Sequence, residues 1–365
     1  MTDPYETCPY RQLPAYSRWA DAVGQVDSQA IDPHTEAPFH ITREMRIATA
    51  GSCFAQNLSR ALVQGGFHFQ CVEPAPPWLE PGQHDEFNYG VFSARYGNIY
   101  TPRQLLQLFQ RALGQFEPVE PGWVGPDGHV SDPFRPRIQR HGFASQEEML
   151  ADRAAHLTAV RQMMETLEVF VFTLGLTESW RSREDGAIFP VAPGCGAGRF
   201  DVARHEFHNF RVHEIIADIT EALRLLRSVN SRSRVILTVS PVALQATMEP
   251  RHVLQSTVYS KSVLRTAAGE VVAADPSVTY FASYEIATAT LNNAHYFATD
   301  KRSVTPDCVD HVMRCFFRLF APDAAPQREP VARTDVAAPR PAAKVICDED
   351  AIAEALAAQR ASHVA

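Results

Sequence analysis

Long apolar runs are missing from this chain: no window of its 365 residues approaches 18 uninterrupted apolar side chains, so no segment qualifies as a membrane-spanning helix. Its first residues, Met1-Thr-Asp-Pro-Tyr-Glu-Thr-Cys, lack a basic stretch followed by an apolar one, and the chain therefore reads as cytoplasmic. Basic residues are in deficit, 34 Lys plus Arg against 42 Asp plus Glu, which leaves a net charge of −8. That balance disfavours a nucleic-acid binder whose affinity rests on many phosphate contacts. The seven cysteines are odd in number and show no CxxC spacing, which argues against a disulfide framework and a thiolate zinc site. The histidines show no HExxH or comparable spacing, so neither metal nor cofactor is expected. Glycine is sparse, 18 against 26 prolines, so the loops are stiffened by proline.

What remains is a composition able to build a core, 45% hydrophobic and 21% charged. Runs such as Val169-Phe-Val-Phe-Thr-Leu and Val235-Ile-Leu-Thr-Val are apolar on both faces, as buried parallel strands are. With Met45 to Ser52, Phe67 to Val72 and Val278 to Tyr284 they give five strands. Helical spacing fills the intervals: Phe54 to Val63 ahead of Gly65-Gly66, the stretch after the Ser145 to Glu148 capping box, and Val212 to Val229. Alternating strands and helices make the class α/β with right-handed crossovers. Residues 74 to 144, rich in Pro and Gly around a helix at Gln104 to Leu113, read as a loop insertion. Residues 321 to 344, with five Pro and eight Ala, read as a linker or tail unable to repay its ordering entropy. Beyond it, Asp348 to Ala361 has the pattern of a short helix or a fraying terminus.

The residues that carry chemistry centre on Ile47-Ala-Thr-Ala-Gly51-Ser52-Cys53-Phe54-Ala55, where a buried strand ends at Gly-Ser and a helix starts at once. That arrangement sets a hydroxyl at the carboxyl edge of a parallel sheet, beside the free N–H groups of a helix start. Two readings stand side by side: Ser52 as nucleophile and Ser52 as an ordinary helix N-cap. Cys53 is the competing nucleophile, since a thiol at a helix start has a lowered pKa.

Gly51 to Ala55 spells GSCFA, and the chain resembles the family of that name, which is similar to SGNH/GDSL-like hydrolases with the Ser in the nucleophile's place. The likeness continues through Leu13-Pro-Ala, Arg95 to Thr101, Thr173 to Glu178, Thr238 to Val242, Tyr259 to Leu264 and Ser283 to Glu285, and covers roughly residues 9 to 320. It implies a three-layer α/β/α, flavodoxin-like fold whose five-stranded parallel sheet has the order 2-1-3-4-5. It also implies three oxyanion donors: the nucleophile's N–H, a Gly after the second strand and an Asn after the third. Ser52 and Gly97 match the first two. The third block, Gly175-Leu-Thr-Glu178, has no Asn, so Thr177 must donate, or Asn98 or Asn209 must fill in. Gly175, Glu178 and Lys261 are then left to bind substrate or orient the base.

In SGNH enzymes a DxxH turn supplies Asp and His, and the corresponding stretch here, Asp300-Lys-Arg-Ser303, holds a serine that cannot be a base. His252, in the loop after the fourth strand, is the first replacement, with Asp300 as its partner. His311 is second, one helical turn from Asp307 on a helix capped by Thr305-Pro306, where the pair could equally be a surface feature. His208 and His295 follow. The expectation is an N-terminal extension (1–39), one α/β domain (40–320) and a disordered tail (321–365). The function that goes with it is a serine esterase or O-acyltransferase using a small-molecule or glycan acyl ester, with no nucleic acid or membrane partner. The alternative is a binding or scaffold protein that kept the fold without the base.

Overall fold

The computed structural model describes residues 8–289, 296–324, 345 and 347–364, and its packing divides the chain into two compact units, 41–281 with 343–365, and 1–40 with 282–342. In the larger unit the strands are, in chain order, β1 (Ile47–Ala50), β2 (Trp123–Val124), β3 (Val130–Ser131), β4 (Val169–Leu174), β5 (Glu178–Ser182), β6 (Ile188–Phe189), β7 (His205–Asn209), β8 (Arg234–Val239) and β9 (Val278–Phe281). Its helices are α1 (Cys53–Gln64), α2 (Pro102–Ala112), α3 (Gln146–Thr166), α4 (Val212–Val229) and α5 (Val253–Ala274), with a C-terminal helix at Asp350–Val364.

The core is a four-stranded parallel sheet in the order β1-β4-β8-β9, registered Ile47 to Val169, Val169 to Arg234 and Val235 to Val278. Every residue of β1 and β4 is buried, the consequence of a sheet apolar on both faces. Helix ends follow local chemistry: Thr101 and Gln104 form a reciprocal capping box around Pro102, and Ser145 Oγ accepts from the Glu148 N–H at 3.2 Å.

The expected fifth strand is reduced to one bridge. Phe69 pairs in parallel with Ile47, the Ile47 N–H reaching the His68 carbonyl at 3.0 Å and the Gln70 N–H the Ile47 carbonyl at 2.9 Å. The ladder stops there because β1's next groups are already taken. Ser93 Oγ accepts from the Thr49 N–H at 3.0 Å, and the Tyr96 hydroxyl donates to the Thr49 carbonyl. Helix α5, an antiparallel sheet in the order β6-β5-β7 and the antiparallel pair β2-β3 had no counterpart in the expectation.

In the smaller unit, α6 (Ser283–Thr288) precedes α7 (Pro306–Phe320), whose first turn is capped by Thr305. The N-terminal segment is tied to α7: Arg318 pairs with Asp32, Arg314 donates to the Gln29 carbonyl at 3.0 Å, and Phe39 packs on Phe320 with ring centroids 5.6 Å apart. The proline- and alanine-rich stretch 325–344 lies outside the described residues. Past it the chain is not a loose tail, since Cys347, Asp348, Glu349 and Ala351 are buried in the larger unit.

Candidate active site at the carboxyl edge of the sheet

Gly51 and Ser52 sit where β1 ends and α1 begins. A Cβ on Gly51 would lie 2.7 Å from the Thr173 Cβ and 2.8 Å from its carbonyl oxygen, and the residue holds φ at +146°. Only glycine lets β1 run so close to β4 at this point. Ser52 occupies the N-cap position of α1 and is 4% exposed, yet its side chain makes no capping hydrogen bond. The hydroxyl is therefore placed at the helix start without being used there, which sets it apart from an ordinary cap. Cys53, the first helical residue, is buried as well.

The loop Tyr96 to Tyr100 lies alongside. The Ile99 N–H donates to the Gly51 carbonyl at 2.9 Å, and the Gly175 and Leu176 N–H groups donate to the Tyr100 carbonyl at 3.1 and 2.8 Å. Gly97, at φ +71°, turns this loop; no side chain crowds it, so the positive φ alone calls for glycine there. Lys261, 1% exposed, donates from Nζ to the Gly175 carbonyl at 2.7 Å. Gly51, Gly97, Tyr100, Gly175 and Lys261 thus belong to one contiguous patch. Thr177 is there too, but its N–H is spent on Ser260 Oγ at 3.0 Å, while its own buried Oγ1 has no hydrogen-bond partner among the described residues. Glu178, whose carboxyl burial pushes above its ordinary pKa, accepts from Thr247 Oγ1 at 2.7 Å and the Met248 N–H at 3.3 Å. Asn209 donates its amide to Glu249 at 2.7 Å.

The expected bases are placed differently. His252 is exposed at the N-cap of α5, and its Nδ1 accepts from the Leu254 N–H at 3.1 Å. A neutral ring with Nδ1 accepting carries its proton on Nε2, so the lone pair a base needs is already occupied. Among the described residues Asp300 orients no histidine: its carboxylate closes its own turn through the Arg302 and Ser303 N–H groups, both at 2.9 Å, and Ser303 Oγ at 2.6 Å. His311 is not a surface partner of Asp307 but is 2% exposed, its ring nitrogens bonded to the Tyr296 hydroxyl at 2.5 Å and the Ile31 carbonyl at 2.9 Å. Burial, with Arg314 nearby, pulls its pKa down to about 4. His208 Nε2 meets Glu214 at 2.9 Å, and His295 lies outside the described residues. Among the described residues no imidazole is hydrogen-bonded to Ser52 Oγ.

The model of the GSCFA family matches residues 46–316, nearly three quarters of the chain and the whole of the patch just described. The chain belongs to the GSCFA family. No curated protein matches it. Among solved structures, a family 3 carbohydrate esterase from Clostridium thermocellum is similar at 8% identity and a TM-score of 0.27, over 77% of this chain and 97% of that one. At that score the likeness carries no argument. The GSCFA segment itself runs from Gly51 to Ala55, so the family's name marks the point where the chain leaving β1 passes hard against Thr173 of β4.

One participant lies beyond the GSCFA match and was invisible in the sequence. Asn98, 2% exposed, accepts from Gln56 Nε2 at 3.2 Å and donates its amide to the Asp348 carboxylate at 2.9 Å. The Asp348 N–H donates to the Tyr100 hydroxyl at 3.0 Å, Arg137 donates to the Cys347 carbonyl at 3.0 Å, and the Gln245 N–H donates to Glu349 at 3.1 Å. Burial raises the Asp348 carboxyl to a pKa of about 6, against the Asn98 hydrogen bond. No signal in a Pro/Ala-rich tail pointed to an acidic residue returning 250 positions to the loop beside Ser52. Among the described residues no group of three or more His, Cys, Asp or Glu side chains is placed to hold a metal ion, and no helix is long and apolar enough to cross a membrane.

Proposed function

We propose that this GSCFA chain is a serine-centred acyl-transfer enzyme, an SGNH-like esterase or O-acyltransferase acting on an O-acyl ester. The observation that carries the reading is the Ser52 hydroxyl, held at a helix start and left out of the cap it would otherwise make. In this reading Ser52 Oγ attacks the acyl carbon, and the Ser52 and Gly97 N–H groups receive the oxyanion, each donor supplying about 3 kcal/mol of transition-state stabilisation. Asn98 joins them once its amide leaves Asp348. Lys261, on α5 with its amine reaching the Gly175 carbonyl just past β4, takes the Ser52 proton in its neutral form and returns it to the leaving alcohol. The acyl-serine then passes to water or to an acceptor hydroxyl. An O-acylated glycan is the substrate class the family resemblance favours. The five-strand order 2-1-3-4-5 belongs to the same reading, with the Phe69 bridge standing for the second strand at the free edge of β1.

The competing reading, a non-catalytic binding protein on the same fold, draws on the Ser52 hydroxyl having no imidazole partner among the described residues. Turnover of a small chromogenic acetyl ester separates the two. Ser52→Ala and Lys261→Met are each expected to lower turnover roughly a thousandfold, because nucleophile and base act as one unit, whereas His252→Ala stays within a few-fold. Removing residues 345–365 frees the Asn98 amide and is expected to raise turnover. A wild-type protein that turns over no ester and transfers no acyl group to a glycan acceptor would favour the binding reading.

A further inference from the structure

Behind the Gly97 loop the larger unit contains a buried charge network whose signs do not balance. Asp132, fully buried, accepts from Arg135 Nε at 2.9 Å and Arg153 Nη2 at 2.8 Å. Asp152 pairs with Arg135 Nη2 at 2.7 Å and Arg95 Nη1 at 3.3 Å. Glu73 accepts from the Arg95 N–H at 2.5 Å and meets His156 Nδ1 at 2.7 Å. A carboxylate can only accept here, so that imidazole nitrogen carries the proton.

Arg111 is the exception. It is 8% exposed, and its Nε and Nη2 have no hydrogen-bond partner among the described residues. Its guanidinium lies 4.0 Å from the centroid of the Phe134 ring, which satisfies one face and none of the edge donors. Burial and the neighbouring Arg153 and Arg135 draw its pKa down to about 9 against the pull of Asp132, the signature of a buried cation short of negative charge. With His156 neutral, its pKa lowered by burial to about 4, the guanidiniums of Arg95, Arg111, Arg135 and Arg153 face the carboxylates of Glu73, Asp132 and Asp152 with one positive charge in excess. A buried charge left unpaired is costly, and a buried guanidinium edge without acceptors more so.

The unpaired donors face space. Gln104, Gln107, Leu108 and Arg111, one stripe of α2, line a cavity of about 20 Å³ together with Phe134 and His156. A single water needs roughly 10–15 Å³ of such space, so the cavity suits one occupant of water or halide size. Gln107 is already paired with the Gly186 carbonyl at 2.9 Å and the Ile188 N–H at 2.8 Å, and the Gln104 carbonyl takes the Tyr100 and Thr101 N–H groups, which leaves the Arg111 edge as the cavity's strongest free donor.

We propose that this cavity is a binding site for one small monovalent anion of chloride size, held against Arg111 Nε and Nη2 and completing the charge balance of the network. The His156 Nε2, buried and without a hydrogen-bond partner among the described residues, gains a proton more readily once the anion is in place and then adds a donor. Because Tyr96, Asn98 and Ile99 also line the cavity, the anion braces the loop on which Gly97 sits.

Thermal unfolding of the full chain tests this at constant ionic strength, with sodium chloride exchanged for sodium gluconate, whose anion is too large for the cavity. Chloride is expected to raise the melting temperature of the wild type by about 2–4 °C at saturating concentration. The difference is expected to vanish in Arg111→Met, which keeps the stem and removes the charge. Equal melting temperatures of the wild type in the two salts would overturn the proposal. If Arg111→Met does not fold, crystals grown in bromide decide it: an anomalous peak beside the Arg111 guanidinium is expected, and a cavity holding only water refutes the site.

Discussion

Gly51 and Ser52 are neighbours with opposite roles in stability. A methyl group at Gly51 meets Thr173 at 2.7 Å in a backbone region that side chains rarely adopt, so Gly51→Ala is expected to cost about 3 kcal/mol or more, read by chemical denaturation. Ser52→Ala removes a hydroxyl that caps nothing and is expected to change stability by less than about 0.5 kcal/mol in the same assay. The Gly-Ser turn was legible in the sequence because a strand, a small-residue pair and a helix follow one another within nine residues. The fate of the histidines was not. His252 is removed from acid–base work by a local N–H that no spacing rule reports, and the buried His311 is bonded to the Ile31 carbonyl, 280 positions away.

At the scale of elements, periodicity found most helices and the four paired strands, since these depend on apolar patterns within one segment. It missed what depends on partners. The fifth strand is lost to Ser93 and Tyr96, β5 and β7 are polar strands that pair only with each other and with β6, and α5 lacks a clean apolar stripe. The docking of Cys347 to Ala351 was missed for the same reason, since its anchors are Asn98, Tyr100 and Arg137. Its carboxyl gives a pH test. The Asp348 pKa lies near 6 in the folded chain and near 3.8 in the unfolded one, so folding takes up a proton between these values. The stabilisation is complete below pH 4 and is lost as pH rises through 6. Asp348→Asn is expected to remain more stable than the wild type above pH 6, by roughly 3 kcal/mol, with the two converging below pH 4. Melting temperatures recorded from pH 4 to pH 8 would show it, and parallel curves for the two proteins would contradict it.

At the scale of the whole molecule, the insertion between residues 74 and 144 is no loose excursion, for it supplies Arg95, Arg111, Asp132 and Arg135 to a network buried behind the site loop. Burial alone would raise the Asp132 carboxyl, but Arg135 and Arg153 hold it far below the usual carboxylate range. Asp132→Asn strands the Arg153 guanidinium and leaves Arg135 to Asp152 alone, and is expected to cost about 3–5 kcal/mol, measured as the loss in urea midpoint. Composition alone could not show this, because a net charge of −8 does not reveal which arginines lie inside. The proposed acyl-transfer chemistry requires the Ser52 hydroxyl to be activated. Incubating the full-length protein with a fluorophosphonate and mapping the adduct by mass spectrometry tests that most directly. One phosphonyl adduct on Ser52, absent from Ser52→Ala, is the predicted result; a folded wild-type protein that stays unlabelled at Ser52 would contradict it.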